Sequence, residues 1–449
     1  MSLLGRLEEI ARRDPDRAAV GLRDAGGEER LLYGELLDRI EKRARELQAF
    51  GPSLAILDGG RPIDFLVDFF AARSLGRAAL SHPPHVPAAL REMREDSVRA
   101  ALSSGPEGAD RLDGTVFFSS GSVGPAKAVP LTDANLEAAA LAFAPWGEVS
   151  ARNRLAVGLS PAQIFGFVRG ALNALLFGAE VIFYKPQRDP LAEAERLGAD
   201  TVLLPTALVP LAARHASRVR LSALRCGGGP LSDADALAVE TVRGVPVRGG
   251  YGLTESSGLG SRQPRDRARR PGTNGPIAPG MEVAIVREDG AECAPGELGE
   301  IRMRGPAVFA GYLSAEDPDP FDAAGRLRSG DAGFVDEAGE LCVRGRLAFA
   351  LRSGDRILCA EEVEAAIAEH PGVAEAAAAP WDRSFGVLVV VRDSSESLLD
   401  EIREHARLRL PVFARPKKML PVSEIPRTAS GKVDRRAATE WLSQAFARG

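Results

Sequence analysis

The chain has 449 residues, 45% of them hydrophobic and 27% charged, with a net charge of −5 and a pI near 5.8. That length supports roughly two to four domain-sized units with ample core, and the balance is that of an ordinary soluble globular protein. The acidic excess argues against a nucleic-acid binder. No apolar run approaches the about 20 residues that cross a bilayer, and no signal-peptide pattern opens the chain. Cys226, Cys293, Cys342 and Cys359 lack CxxC spacing and the five histidines are dispersed. Neither a zinc site nor a disulfide framework is indicated, and the expectation is a cytoplasmic protein.

Residues 3–14 place Leu3, Leu4, Leu7, Ile10 and Ala11 at helical spacing. Leu32-Tyr33-Gly34-Glu35-Leu36 opens a second helix to about Phe50. Residues 53–58 read as a buried strand and 63–75 as another helix. This alternation predicts a largely parallel sheet covered on both faces. Residues 83–113 are charged and helix-like without evident chemistry, and His82 and His85 read as loop residues.

Residues 116–118 read as a short buried strand that breaks into hydroxyls and glycines: Ser119, Ser120, Gly121, Ser122 and Gly124. Lys127 follows, and then a helix start at Thr132-Asp133-Ala134-Asn135. A strand, a Gly/Ser loop and a lysine are what holding a polyphosphate requires. Backbone N–H groups approach the oxygens, hydroxyls donate further bonds, and the ammonium supplies a point charge. It is no Walker A loop, since Gly-Lys-Ser/Thr is missing, and the same stretch also reads as a plain surface turn. Only six of the 57 basic residues are lysine, Lys127 and Lys432 among them, so arginine is the default cation.

Further on, 154–159 and 180–183 read as strands flanking an apolar helix at 166–176, with a turn from Ser160 to Gly166. Strands at 201–204 and 223–226 follow. The second runs into Gly227-Gly228-Gly229-Pro230-Leu231, which suits close approach to a flat ligand, or simply a tight turn. A strand at 245–247 ends in Gly249-Gly250-Tyr251-Gly252-Leu253-Thr254-Glu255, presenting an aromatic ring, a hydroxyl and a carboxylate. The basic stretch 261–275 reads as a solvated linker, with contact to a ligand's phosphates as the sharper alternative. Residues 282–287, 299–304 and 340–344 read as strands of a smaller β-rich unit. A helix from 360, strands at 373–378 and 385–391, and a helix at 397–410 make a compact α+β unit.

Taken in order, these motifs resemble those of the adenylate-forming superfamily of acyl-CoA synthetases, adenylation domains and luciferases. The phosphate loop departs from that family's pattern at Val123, Ala126 and Ala128. Gln163 stands where the family carries a histidine, and no Asp lies between Ser160 and Phe167, which argues against an amino-acid substrate. After Gly345-Arg346 the hinge motif is one residue shorter, with Ala348 and Phe349 where an Asp or Lys hinge usually lies. Ile425-Pro426-Arg427-Thr428-Ala429-Ser430-Gly431-Lys432 matches without a gap.

The resemblance implies an α/β fold. Residues 1–345 would form a large N-terminal domain of layered sheets with a small β-rich subdomain, and 346–449 a small mobile α+β lid. It implies that Ser119, Ser120, Gly121, Ser122, Gly124 and Lys127 hold ATP phosphates, and that Gly228, Gly229, Pro230, Tyr251 and Gly252 lie near the adenine. Thr254 would contact the α-phosphate, Glu255 would hold Mg²⁺, Asp331 would accept hydrogen bonds from both ribose hydroxyls, and Arg346 would reach ribose or phosphate. Gln163, Phe165 and Gly250 would line the acid pocket, and Lys432 would be the catalytic lysine. The implied activity is acyl-adenylate formation followed by transfer to CoA. The alternatives are transfer to a carrier-protein phosphopantetheine thiol, or a degenerate homologue that binds without turnover.

Overall fold

The computed structural model describes all residues except 1, 25–26, 50–53, 104–113, 120–125, 147–148, 354–355, 359, 383, 393–396, 428–432 and 447–449. Two compact units are present: Met1–Val283 with Arg302–Arg328 and Ala338–Leu341, and Ala284–Ile301 with Ser329–Glu337 and Cys342–Gly449.

The first helix, Leu3–Arg13, starts where Ser2 Oγ accepts the Gly5 N–H at 3.1 Å, and it buries Leu3, Leu7, Ile10 and Ala11. Capping plus an apolar stripe explains its position. A hairpin follows, β1 (Ala18–Asp24) and β2 (Gly27–Leu32). It escapes the sequence reading because β2 is polar at Glu28, Glu29 and Arg30. Tyr33 begins the helix Tyr33–Ala49 and is fully buried. Its hydroxyl lies 3.0 and 2.9 Å from the carbonyl oxygens of Leu175 and Ala179, and burial raises its pKa.

The four-stranded sheet contains β3 (Ala55–Asp58), β4 (Ala79–His82), β5 (Gly114–Phe118) and β6 (Ala128–Thr132), parallel except at β5/β6. The seven-stranded sheet adds β7 (Arg154–Val157), β8 (Glu180–Tyr184), β9 (Thr201–Pro205), β10 (Ala223–Gly227) and β11 (Val247–Arg248). Its order is β11-β10-β9-β7-β8-β1-β2, parallel except at the β1/β2 hairpin. All five residues of β8 and of β10 are buried, as strands covered on both faces must be.

The apolar stretch expected as a helix at 166–176 winds as a π-helix, Phe165–Leu172, continued by Asn173–Leu175. Phe167 is its anchor, with ring centroids 5.5 Å from Phe65, 4.8 Å from Phe69 and 5.7 Å from Phe117. Each such pair contributes about 0.5–1.5 kcal/mol beyond area burial, and together they pack the π-helix on β5 and on the helix Pro62–Ser74. His82 is not a loop residue. It ends β4, fully buried, with Nε2 3.5 Å from Glu95 Oε1, and burial lowers its pKa.

Two short strands, β12 (Gly250–Tyr251) and β13 (Ser261–Arg262), pair antiparallel. A four-stranded sheet runs in chain order through β14 (Glu282–Val286), β15 (Gly299–Arg304), β16 (Leu327–Val335) and β17 (Leu341–Arg346). In the second unit β18 (Leu351–Ser353) pairs with β19 (Arg356–Leu358). A three-stranded sheet is built from β20 (Val373–Trp381), β21 (Ser384–Val391) and β22 (Lys418–Pro421). Alternate residues of β21 face opposite layers. Val387 and Val389 join Val363, Ile367, Ile402 and Ala406 of the helices Ala360–Ala368 and Leu398–Arg409, while Leu388 joins Ala438 and Leu442 of Arg435–Phe446.

Candidate active site

In the larger unit the expected site residues leave the sheets at the carboxyl ends of β5, β7, β10 and β11. In open α/β sheets this is the edge where ligands bind. Ser119 follows β5 and closes the neck of the Ser/Gly loop. Its N–H donates to the Lys127 carbonyl at 3.0 Å, and its Oγ accepts the Lys127 N–H at 2.9 Å. The neck continues the β5/β6 pairing at Phe118 and Ala128. Ser120, Gly121, Ser122 and Gly124 lie outside the described residues. The Lys127 ammonium stands over the Tyr312 ring, 4.4 Å from its centroid.

The turn from Ser160 to Gly166 ties the two sheets together. Ser160 Oγ donates to the Gly59 carbonyl at 2.9 Å, and Ser81 Oγ donates to the Ala162 carbonyl at 3.2 Å. A Cβ at Gly59 would stand 2.4 Å from Ala162 Cβ, so only glycine admits this approach. Gln163 is exposed. Phe165 lies against the end of β10, where a Cβ on Gly227 would come within 2.8 to 3.1 Å of its ring atoms. Gly228 follows at φ +81°, and the Gly229 carbonyl accepts from Thr206 Oγ1 at 3.2 Å. The expected pocket residue Phe165 and the glycine turn are thus neighbours. Gly250 is paired with Arg262 in β12/β13, where a Cβ would be 2.7 Å from the Ser261 carbonyl oxygen.

Past Tyr251 the chain makes a single 3₁₀ turn, Thr254–Ser256, and reverses at Ser257 (φ +53°) and Gly258 (φ +74°). A non-glycine residue at positive φ is costly, and here Ser257 Oγ donates to the Ala307 carbonyl at 2.9 Å. The reversal presses Gly252 on Gly258, with room for no Cβ. It presents Glu255, whose Oε1 accepts the Tyr312 hydroxyl at 3.0 Å. The Phe309 N–H donates to the Glu255 carbonyl at 2.9 Å. Tyr312 is the residue sequence reasoning missed at this site; its only signal was the Gly311-Tyr312-Leu313 string.

The basic stretch 261–275 is exposed from Arg265 to Ala268 and from Arg270 to Gly272, as a solvated segment is, but it is anchored at its start. Arg262 and Gln263 are buried. Arg269, 4% exposed in its side chain, pairs with Asp233 and lies 3.7 Å from Glu240, while Arg267 and Arg270 lie 3.1 and 3.4 Å from buried Glu340. These arginines clasp the loop to the body of its own unit.

The second unit brings Asp331 and Arg346 together. Asp331, 5% exposed, holds Arg346 Nε at 3.0 Å, and Arg346 Nη1 donates to the Ser329 carbonyl at 3.1 Å. The Asp331 N–H donates to Ser329 Oγ at 2.9 Å, fixing the Ser-Gly-Asp turn within β16. Lys432 lies outside the described residues.

A carboxylate and a lysine stand with glycine-rich turns at the carboxyl edge of the parallel strands of an α/β protein, the edge where such sheets bind ligands. Residues 114–313 match the AMP-binding enzyme family and residues 362–432 the AMP-binding enzyme C-terminal domain. The 2-succinylbenzoate–CoA ligase of Bacillus licheniformis is 30% identical over 333 residues, 72% of this chain and 68% of that protein. The peroxisomal OPC-8:0-CoA ligase 1 of Arabidopsis thaliana is 30% identical over 342 residues, 72% of this chain. Of that relative's own length the chain spans 63%. O-succinylbenzoate coenzyme A synthetase of Bacillus subtilis, solved in complex with ATP and a magnesium ion, shares the fold. Its TM-score is 0.79 at 23% identity, covering 96% of this chain and 98% of that one. The chain belongs to the AMP-binding enzyme family of the adenylate-forming superfamily. Among the described residues no helix is long and apolar enough to cross a membrane.

Proposed function

We propose that the protein activates a carboxylic acid with MgATP and transfers the acyl group to the thiol of CoA. The observation that carries this is the pair Lys127 and Glu255, each held by Tyr312 at the carboxyl edge of the sheets. In the first step a carboxylate oxygen of the acid attacks the α-phosphorus and pyrophosphate leaves. In the second the thiol sulfur attacks the acyl carbon and AMP leaves. Lys127 and the phosphate loop neutralise phosphate charge, Thr254 contacts the α-phosphate, and Lys432 follows charge as it moves onto pyrophosphate.

The residues present fit a magnesium ion. Among the described residues the Glu255 carboxylate has one partner, the Tyr312 hydroxyl, which leaves lone pairs for a hard cation. No cluster of three or more His, Cys, Asp or Glu among the described residues could hold a metal. Mg²⁺ suits that arrangement, since it takes one or two carboxylates and completes its shell with phosphate oxygens and water. When bound it would supply charge neutralisation between the two anions that must meet.

Phe165, Gln163 and Gly250 are assigned to the acid pocket; Gly228, Gly229, Pro230, Tyr251 and Gly252 to the adenine; Asp331 to the ribose hydroxyls; and Arg346 to ribose or phosphate. Residues 346–449 act as a lid that turns at Ala348 between the two steps. The CoA ligase names of both curated relatives support CoA as acceptor. The described cysteines are free thiols, in keeping with a reducing cytoplasm.

Pyrophosphate release from MgATP, measured across aryl, short-chain and long-chain acids with and without CoA, tests the acceptor. Multiple turnovers that require CoA are expected with one acid class. A single turnover unaffected by CoA contradicts it and points to a carrier-protein thiol.

A further inference from the structure

The segment from Gly305 to Leu313 is bonded both to the stretch that follows Lys127 and to the Glu255 turn. Asn135 Nδ2 donates to the carbonyls of Pro306 and Val308 at 2.8 and 3.0 Å, while its Oδ1 accepts the Thr132 N–H at 3.0 Å and caps the helix after β6. Ser257 Oγ donates to Ala307, and the Phe309 N–H donates to the Glu255 carbonyl. The Leu313 N–H donates to the Ala128 carbonyl at 3.1 Å, one residue from Lys127. Backbone and side chain thus strap two motifs that are 128 positions apart (Lys127 to Glu255). Tyr312 lies where the strap crosses between them. Its ring, in edge contact with Phe309 at 5.1 Å between centroids, carries the Lys127 ammonium on one face, and its hydroxyl holds Glu255 Oε1.

We infer that Tyr312 is a positioning residue for the nucleotide: its hydroxyl orients the Glu255 carboxylate toward magnesium, and its ring locates Lys127 for the phosphates. The inference rests on the proposed adenylation reading. A free glutamate samples several rotamers, and binding a metal then costs the entropy of fixing one. A hydroxyl bond to one carboxylate oxygen fixes the rotamer in advance and leaves the second oxygen for the cation. Groups that orient a metal ligand in this way change metal affinity by about 10–100-fold when removed. A lysine over an aromatic face is held more weakly, by an amount of about two- to fivefold in affinity terms at an exposed site.

The two effects separate in equilibrium binding of ATP to the full chain, titrated by calorimetry in EDTA and in excess Mg²⁺. For wild type, Mg²⁺ tightens ATP binding. Tyr312→Phe keeps the ring and is expected to retain wild-type affinity in EDTA while losing about tenfold of the gain from Mg²⁺. Tyr312→Leu loses that gain and also weakens binding in EDTA by a few-fold. A Mg²⁺ gain in Tyr312→Phe equal to wild type overturns the inference and leaves the adenylation reading standing. Equal losses with and without Mg²⁺ also overturn it, since they mark a merely structural tyrosine. A wild-type protein that binds no ATP removes the reading itself, and the inference with it.

Discussion

Lys432→Ala is expected to lower acyl-adenylate formation by about 10²–10³-fold, the loss seen when one preorganised donor to developing charge is removed. The reason lies in what the first step demands. A carboxylate and the α-phosphate must approach although both are anionic, and negative charge then moves onto the departing pyrophosphate. An ammonium on a flexible four-carbon stem follows that movement, which a fixed guanidinium cannot. In a chain that otherwise uses arginine for 51 of its 57 basic residues, leaving six lysines, a lysine in the Ser-Gly-Lys string is a departure from habit. The variant is expected to fold, since the role proposed for Lys432 is electrostatic. Pyrophosphate release in a single turnover, together with a thermal melt, checks both parts. Adenylate formed at the wild-type rate by a folded variant would remove Lys432 from the mechanism.

The second large effect concerns folding. Arg243 is fully buried, and its guanidinium is satisfied on every side: Nε donates to the Ser217 carbonyl at 2.6 Å, Nη1 to Ala212 at 2.9 Å, and Nη2 to both Asp189 oxygens at 2.9 and 3.0 Å. Asp189 also accepts the Ala192 N–H at 3.1 Å and so caps the helix Pro190–Arg196. Asp189→Ala leaves a charge buried with no counter-ion, and is expected to destabilise the larger unit by about 3–5 kcal/mol, with the lost cap adding about 1 kcal/mol. The double variant Asp189→Ala with Arg243→Met removes the charge as well as its partner and should recover part of the loss, because the two residues are coupled. Urea denaturation of the three variants measures this. A single variant within about 1 kcal/mol of wild type, or a double variant less stable than Asp189→Ala, would contradict the account.

Much of the site was legible because its motifs are contiguous. Gly252 through Glu255 read as a glycine-framed turn presenting a carboxylate, and they form one; Thr132 with Asn135 read as a helix start, and they make a capping box. What escaped the sequence depends on partners far along the chain. Tyr312 and Glu255 are separated by 57 positions, and nothing local in Gly-Tyr-Leu marks a carboxylate partner. Within 261–275 the withdrawal of Arg269 from solvent was hidden because Asp233 and Glu240, which lie beside it, come from other segments, while Arg265, Arg267 and Arg270 are exposed as read. Local charge density reports nothing about burial when the counter-charges are remote. The β1/β2 hairpin was hidden by a polar edge strand, and His82 by the prolines beside it, although it closes a fully buried strand. The π-helix at Phe165 kept its apolar character legible while its winding was not, since Gly166 and Gly170 are chosen by contacts with Ser160 and Val157.

The proposed first step, acyl-adenylate formation from a carboxylic acid and MgATP, is reversible. Exchange of labelled pyrophosphate into ATP, without any thiol acceptor, tests it most directly, because only reversal of the first step puts the label there. Exchange that depends on both an acid and Mg²⁺ is expected. Absence of exchange with every acid class, in protein that binds ATP, would contradict it and leave a homologue that binds nucleotide without turnover.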